Sequence, residues 1–391
     1  MFVQLICKNR NEKEKDEIYE VLGLLCQREH IQIEDKGDTV EIYACPQGTI
    51  KAVENEEELI LSASTRHAGP GFHAFVVEFF MDVMEEIPGD YELKDDLEYD
   101  GNFDRLVQIY EDEIVYLKDV VLNNELVKSQ NYMYDETYIL PILKENQIAT
   151  ANGLMDVEEF RRLEPIQLMD NFFVWNNWDK DSRFYKNAAL LLLAKESVGP
   201  YVNMDDHTSK YANAICDYIE LAHEDDVNMT LPYKEYKELC HYLSRQVRIK
   251  DAKQMEEEVF QYRLKDIYHL FEQGKIVANG CAQRSYDPVS QSLCLMSPYL
   301  EDHTWDWLIQ AGFQEELCTR KENLLKEEPI HYGNKEIWLQ EVDEGSYYTV
   351  EAIVKEKENT MYFHCTIASK KDVAYICQCI KESEFQKGID E

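Results

Sequence analysis

The sequence predicts an α+β fold, with two mixed modules of antiparallel strands at the N- and C-termini flanking a mainly helical middle region. Three observations carry that expectation. Short runs rich in Val, Ile, Tyr and Cys, punctuated by turn residues, fall within residues 2–64 and again within 336–367. Between about 156 and 273, apolar residues recur at helical spacing behind Asp and Thr caps. At 391 residues the chain is also too long for one typical core. The expected domains are 1–88, 103–274 and 275–391.

In the first module, residues 2–7 read as a strand. Glu12–Glu29 reads as an amphipathic helix, with Ile18, Val21, Leu22 and Leu25 on one stripe. Strands follow at about 39–45, 49–53 and 58–64, broken by Pro46–Gln47–Gly48 and by an acidic cluster. A helix then runs from about Pro70 to Glu86. Residues 85–100 are strongly acidic and read as a solvated linker or an edge. Glu113–Leu122 fits either a strand or a helix.

In the middle, Asp156, Asp181, Asp206 and Thr230 are placed to cap successive helices. Lys250–Gln273 reads as one more helix, stopped by Gly274. In the last module, strands at about 336–342, 347–355 and 360–367 precede a helix from Ser369 to about Glu384. Three strands and a helix thus occur twice. No residue identity links the two copies, so independent modules are expected.

Charge bounds the function. Asp and Glu number 77 against 40 Lys and Arg, a net charge of −37. Such a surface repels phosphate backbones and anionic lipid, which argues against nucleic-acid and membrane partners. It reads first as plain solvation of an acidic protein, and functionally as binding a basic partner or mimicking a polyanion. The longest fully apolar run, Ala188–Ala194, falls far short of a bilayer span, and Met1–Cys7 does not read as a signal peptide. Eleven scattered cysteines, mostly inside apolar runs, read as reduced thiols in a cytoplasmic protein.

The one stretch approaching a functional signature is Thr65–Arg66–His67–Ala68–Gly69–Pro70–Gly71–Phe72–His73, between a strand and a helix. Gly69 and Gly71 permit close backbone approach, and Pro70 suits the first helical position. Amides at the helix start, from Gly71 through Phe72 to His73, favour an anion, and Arg66 and His67 add side-chain donors. Helical geometry turns His73 towards Val76, Val77 and Phe80, away from Glu78, Asp82 and Glu85, so it is expected in the core. Trp175 and Trp178, three residues apart, are a candidate partner-binding pair. No metal set is expected: His364 and Cys365 alternate across a strand, and Cys377 and Cys379 diverge on a helix.

The leading expectation is an acidic, non-enzymatic cytoplasmic protein without cofactor or metal, regulatory or immunity-like, acting through a protein partner of basic character. The alternative is a small-anion or phosphate-ligand module or enzyme using the loop 65–73.

Overall fold

The computed structural model describes residues 1–55, 58–123, 142–143, 147–150, 153–196, 206–256, 266–280, 282–297 and 305–385. The fold is α+β. Its first module runs β1 (Phe2–Lys8), α1 (Glu12–Arg28), β2 (Gln32–Asp35), β3 (Val40–Cys45), β4 (Gly48–Glu54), β5 (Leu59–Ser64), α2 (Pro70–Glu86) and β6 (Asp90–Asp95). The six strands form one antiparallel sheet in the order β2-β3-β4-β5-β1-β6. The acidic stretch after α2 therefore contributes an edge strand. Strand β2 has no counterpart in the sequence reading, since its four residues are mostly polar.

Register puts Val3 opposite Ala63, Leu5 opposite Leu61 and Ala63 opposite Ile50, so one face of the sheet is apolar. The other face aligns Lys51, Ser62, Gln4 and Lys94 in a polar row. Asn11 and Glu14 form a reciprocal capping box that starts α1. That helix packs Ile18, Leu22 and Leu25 into the same core as the apolar sheet face. Helix α2 is buried on nearly every side, through Phe72, His73, Ala74, Val76, Val77, Phe79, Phe80 and Val83.

The middle comprises α3 (Phe103–Asn123), β7 (Ile142–Leu143), β8 (Gln147–Thr150), β9 (Gly153–Asp156), α4 (Val157–Arg162), α5 (Pro165–Phe172), α6 (Ser182–Glu196), α7 (Asp206–Asp225), β10 (Thr230–Leu231), α8 (Tyr233–Tyr242) and β11 (Lys253–Gln254). The first core does not stop at residue 88. The α3 stripe Leu106, Tyr110, Ile114 and Leu117 joins it, as do Phe160, Phe172, Trp175 and Phe184. Helix α6 serves two cores: Phe184, Ala188 and Leu191 face the first, while Ala189, Leu190, Leu192 and Leu193 face α7 and α8. Asp156 and Asp181 accept backbone amides at the helix starts, as their spacing implied. Thr230 instead lies in β10, and Asn203 to Asp205 fall outside the described residues.

The last module contains β12 (Asp266–Phe271), β13 (Gly274–Asn279), β14 (Gln283–Asp287), β15 (Ser292–Met296), β16 (Trp307–Gly312), a 3-10 turn over 315–317, α9 (Lys321–Leu324), β17 (Ile330–Tyr332), β18 (Lys335–Asp343), β19 (Tyr348–Glu356), β20 (Asn359–Ile367), α10 (Lys370–Glu382) and β21 (Glu384–Phe385). The helix expected over 250–273 is corrected. Its described parts hold two strands, with residues 257–265 outside the described range. Ile267 and His269 are buried while Tyr268 between them is half-buried, the period of a strand. Glu272 takes a positive φ of 49° in the turn that pairs β12 with β13.

The two end modules share one topology. The segment β16–β17–β18–β19–β20–α10 repeats β1–β2–β3–β4–β5–α2, with sheet order β17-β18-β19-β20-β16 against β2-β3-β4-β5-β1. Even the register is kept. Phe2 pairs with Ser64 and Trp307 with Ile367, each at flush strand ends. Beyond them, Thr65 N–H donates to Met1 O at 3.2 Å and Ala368 N–H to Asp306 O at 2.8 Å. The copies differ in what surrounds them. In the second, β15 takes the place of β6, and the 315–324 segment packs Leu317 and Leu324 on Ile353 and Tyr362, so both sheet faces are covered. Glu351, 1% exposed on β19, anchors that segment by accepting from Thr319 Oγ1 and Arg320 N–H.

Buried His269 supplies a pH test of this module. Burial pushes its imidazole down to about 4, opposed by its hydrogen bond to Asn279 O and reinforced by Arg284. A base with a depressed folded pKa is protonated first in the unfolded chain, so stability falls as pH drops from about 6.5 towards 4. His269→Gln should remove acid sensitivity on the order of 3 kcal/mol, read from melting curves of both proteins across that range.

Candidate functional site

The loop between β5 and α2 is built from backbone closure outward. Thr65 follows the last strand residue, Ser64, and Gly69, at φ +111°, turns the chain into the helix that Pro70 begins. Its side chains then form a line. Thr65 Oγ1 lies 2.8 Å from His73 Nδ1, and His73 Nε2 lies 3.1 Å from Asp95 Oδ1 in a contact bent away from a straight hydrogen bond. Asp95 also accepts the amides of Leu97 and Tyr99. Tyr110 O–H donates to Thr65 O at 2.8 Å, and the rings of Tyr99 and Tyr110 stand edge-on to the imidazole.

A hydroxyl, an imidazole and a carboxylate in a row are the parts of a nucleophilic triad, yet a triad needs an open nucleophile. Thr65 and His73 are both 0% exposed. A carboxylate only accepts, so with a neutral imidazole the proton sits on Nε2 and Nδ1 accepts the Thr65 hydroxyl. For Asp95, burial works against the charge, but His73 and the two amides outweigh it and hold the carboxyl below its ordinary range. The stabilisation this gives is present at neutral pH and is lost as pH falls through the lowered pKa. The line fastens β6 and α3 to the start of α2.

The groups assigned to an anion are occupied within the fold. Arg66 donates from Nε and Nη2 to Glu113 Oε2, at 3.2 and 2.9 Å. His67 is half-buried and engaged. Gly71 N–H donates to Trp175 O at 3.0 Å, His73 N–H to Gly69 O at 3.2 Å, and Gly69 N–H reaches Thr65 O at 3.4 Å. Phe72 is buried against Phe75 and Trp175. These contacts count against the anion reading of Arg66, His67, Gly69, Gly71, Phe72 and His73: Trp175 O takes the Gly71 amide, and the 173–177 segment lies over the helix start.

The tryptophan pair divides. Trp175 is 3% exposed, and its backbone N–H donates to Ala68 O at 2.8 Å, so it is a core residue and not part of a surface. Trp178 is 44% exposed and packs on Phe103 and Tyr99. Lys180 closes over Trp175. Its ammonium lies 4.9 Å from the Trp175 ring centre, 5.6 Å from Phe75 and 5.7 Å from Phe184. Burial lowers its pKa.

Sequence reasoning overlooked a cleft of about 270 Å³ beside this cage. It is lined by Arg28 and Glu29 at the end of α1 and by Phe75, Glu78, Phe79, Met81, Asp82 and Glu85 of α2. The i, i+3, i+4 spacing of these α2 residues was available as a signal. Among the described residues, no group of three His, Cys, Asp or Glu side chains is placed to hold a metal ion.

Glycine 71 has no room for a methyl group: an added Cβ would lie 2.1 Å from Trp175 Cδ1 and 2.3 Å from Asn177 O. Gly71→Ala should cost about 2 kcal/mol or more in denaturant melts. The same change in a Trp175→Ala background should cost less, because the ring is gone, but should still destabilise, because Asn177 O remains 2.3 Å from the added Cβ.

Compared with known proteins, the chain finds no matching family model, no matching curated protein and no matching solved structure.

Proposed function

We propose that this chain is a non-catalytic binding protein, regulatory in character, whose acidic surface recognises a basic protein partner. The observation that carries this reading is the charge surplus of −37 combined with the way the cations are spent. Arg28, Arg66, Arg183, Lys210, Arg245, Arg320, Lys321 and Lys370 are each held by carboxylates of the same chain. The surplus acids are left to present a negative field to the solvent. The most reactive-looking constellation, Thr65–His73–Asp95, is closed to substrate, which supports binding over catalysis. No described helix is long and apolar enough to cross a membrane. All ten described cysteines are free, eight of them buried, which supports a reducing cytoplasmic setting.

The reading has a direct test. Fluorescence anisotropy of the full chain should show binding of a short arginine- and lysine-rich peptide at low salt, weakening steeply as salt rises, and no binding of an acidic peptide of equal length. Equal affinity for both peptides, or none for either, contradicts it. Inorganic phosphate should leave the melting temperature unchanged. A true anion site at 100 times its dissociation constant would add about 2.7 kcal/mol.

A further inference from the structure

We infer that the cleft between the end of α1 and the outer stripe of α2 is the docking site for an arginine- or lysine-bearing segment of the basic partner. The inference rests on the function proposed above and adds the place and the mode of recognition.

Shape comes first. Helix α2 is covered nearly all round, and the stripe Phe75, Glu78, Met81, Asp82 and Glu85 is the side that stays open. Met81 is 49% exposed, and Leu24 on neighbouring α1 is exposed as well. At about 270 Å³ the cleft is smaller than the roughly 300–1,000 Å³ of a pocket for a drug-sized ligand. It suits one or two side chains of a protein segment. An aliphatic stem can lie on Phe75 and Met81 while its cationic head reaches the acids at the rim.

Charge selects the occupant. Arg28 is the cation in the cleft, and it already pairs with Glu29 and Asp82. Glu78 and Glu85 have no cationic partner among the described residues. Burial, and then the neighbouring Asp82, push the Glu78 carboxyl upward, and a cation seated beside it would favour the charged form. The Phe75 ring can accept a cation, since the Lys180 ammonium lies 5.6 Å from its centre.

The fold itself does not demand these acids. Helix α10 holds the same place in the second copy of the topology, and it bears Lys370, Lys371 and Lys381 with only Asp372 and Glu382 as acids. Helix α2 carries Glu78, Asp82, Glu85 and Glu86 and no Lys or Arg. One scaffold thus tolerates either sign at this position, and the acidic stripe is a property of the first copy alone.

The test uses the full chain and a labelled peptide of alternating arginine and leucine. Glu78→Lys with Glu85→Lys should weaken binding roughly tenfold or more. Glu328→Lys with Glu358→Lys changes the net charge equally at exposed sites of the last module and should cost less than about threefold. Met81→Ser, which leaves charge untouched, should weaken the binding that survives at high salt. Circular dichroism melts of each variant verify the fold. Equal losses from the two charge-reversed pairs would overturn the cleft and leave the basic-partner reading standing. Failure of the unmodified chain to bind at low salt would overturn both. Sedimentation showing a dimer abolished by the cleft variants would assign the surface to a second copy of the chain and overturn the proposed occupant.

Discussion

Two reciprocal hydrogen bonds organise the junction between the first module and the middle of the chain. Trp175 N–H donates to Ala68 O, and Gly71 N–H donates to Trp175 O. They lay the 173–177 segment across the start of α2, where Pro70 has no N–H to offer and Trp175 O takes the Gly71 amide. The constraint is steric as much as polar. At Gly69 an added Cβ would lie 2.4 Å from Trp175 O, and at Gly71 2.1 Å from Trp175 Cδ1. With the helix start fixed in this way, its rotation is fixed too. His73 then meets Thr65 and Asp95 inside, and the Phe75–Glu78–Met81–Asp82–Glu85 stripe is turned outward.

Packing around this contact joins the first module to the middle of the chain. Trp175 and Phe184 bring α6 into the core formed by α1, α2 and the first sheet, and Tyr110 brings α3. Lys210 of α7 pairs with Glu34 of β2 at the sheet's edge. The charged and aromatic groups that looked most like chemistry in the sequence thus serve cohesion. The recognition proposed above is assigned to a surface whose residues are individually ordinary. The shared topology of the two end modules sharpens that division, because the same helix position is acidic in one and carries lysines in the other.

Much of this was legible in the residues. Periodicity placed His73 inside and Glu78, Asp82 and Glu85 outside, because α2 obeys helical geometry and one turn of it is unambiguous. Turn residues located β3, β4 and β5, and cap residues located α4 and α6. What escaped depended on distant partners. Nothing near the Gly-Pro-Gly turn announces that residues 173–177 will fill the helix end, so the loop read as an open anion site. Strand β12 falls inside the stretch 250–273 that reads as a helix, because Ile267 and His269 alternate over too few residues to declare a strand. Trp175 and Trp178 stand three apart and look equivalent, yet a bend after α5 sends one inward and leaves the other on the rim.

The account turns on the loop being a sealed joint, and native-state hydrogen exchange at the amides of Gly71 and Trp175 tests that most directly. Both are expected to exchange only through global unfolding, with protection equal to that of Leu5 and Leu61 in the central strands. Exchange of these two amides at the rate of an exposed loop, while the strands stay protected, would contradict it: the helix end would then be open, and the anion reading would return.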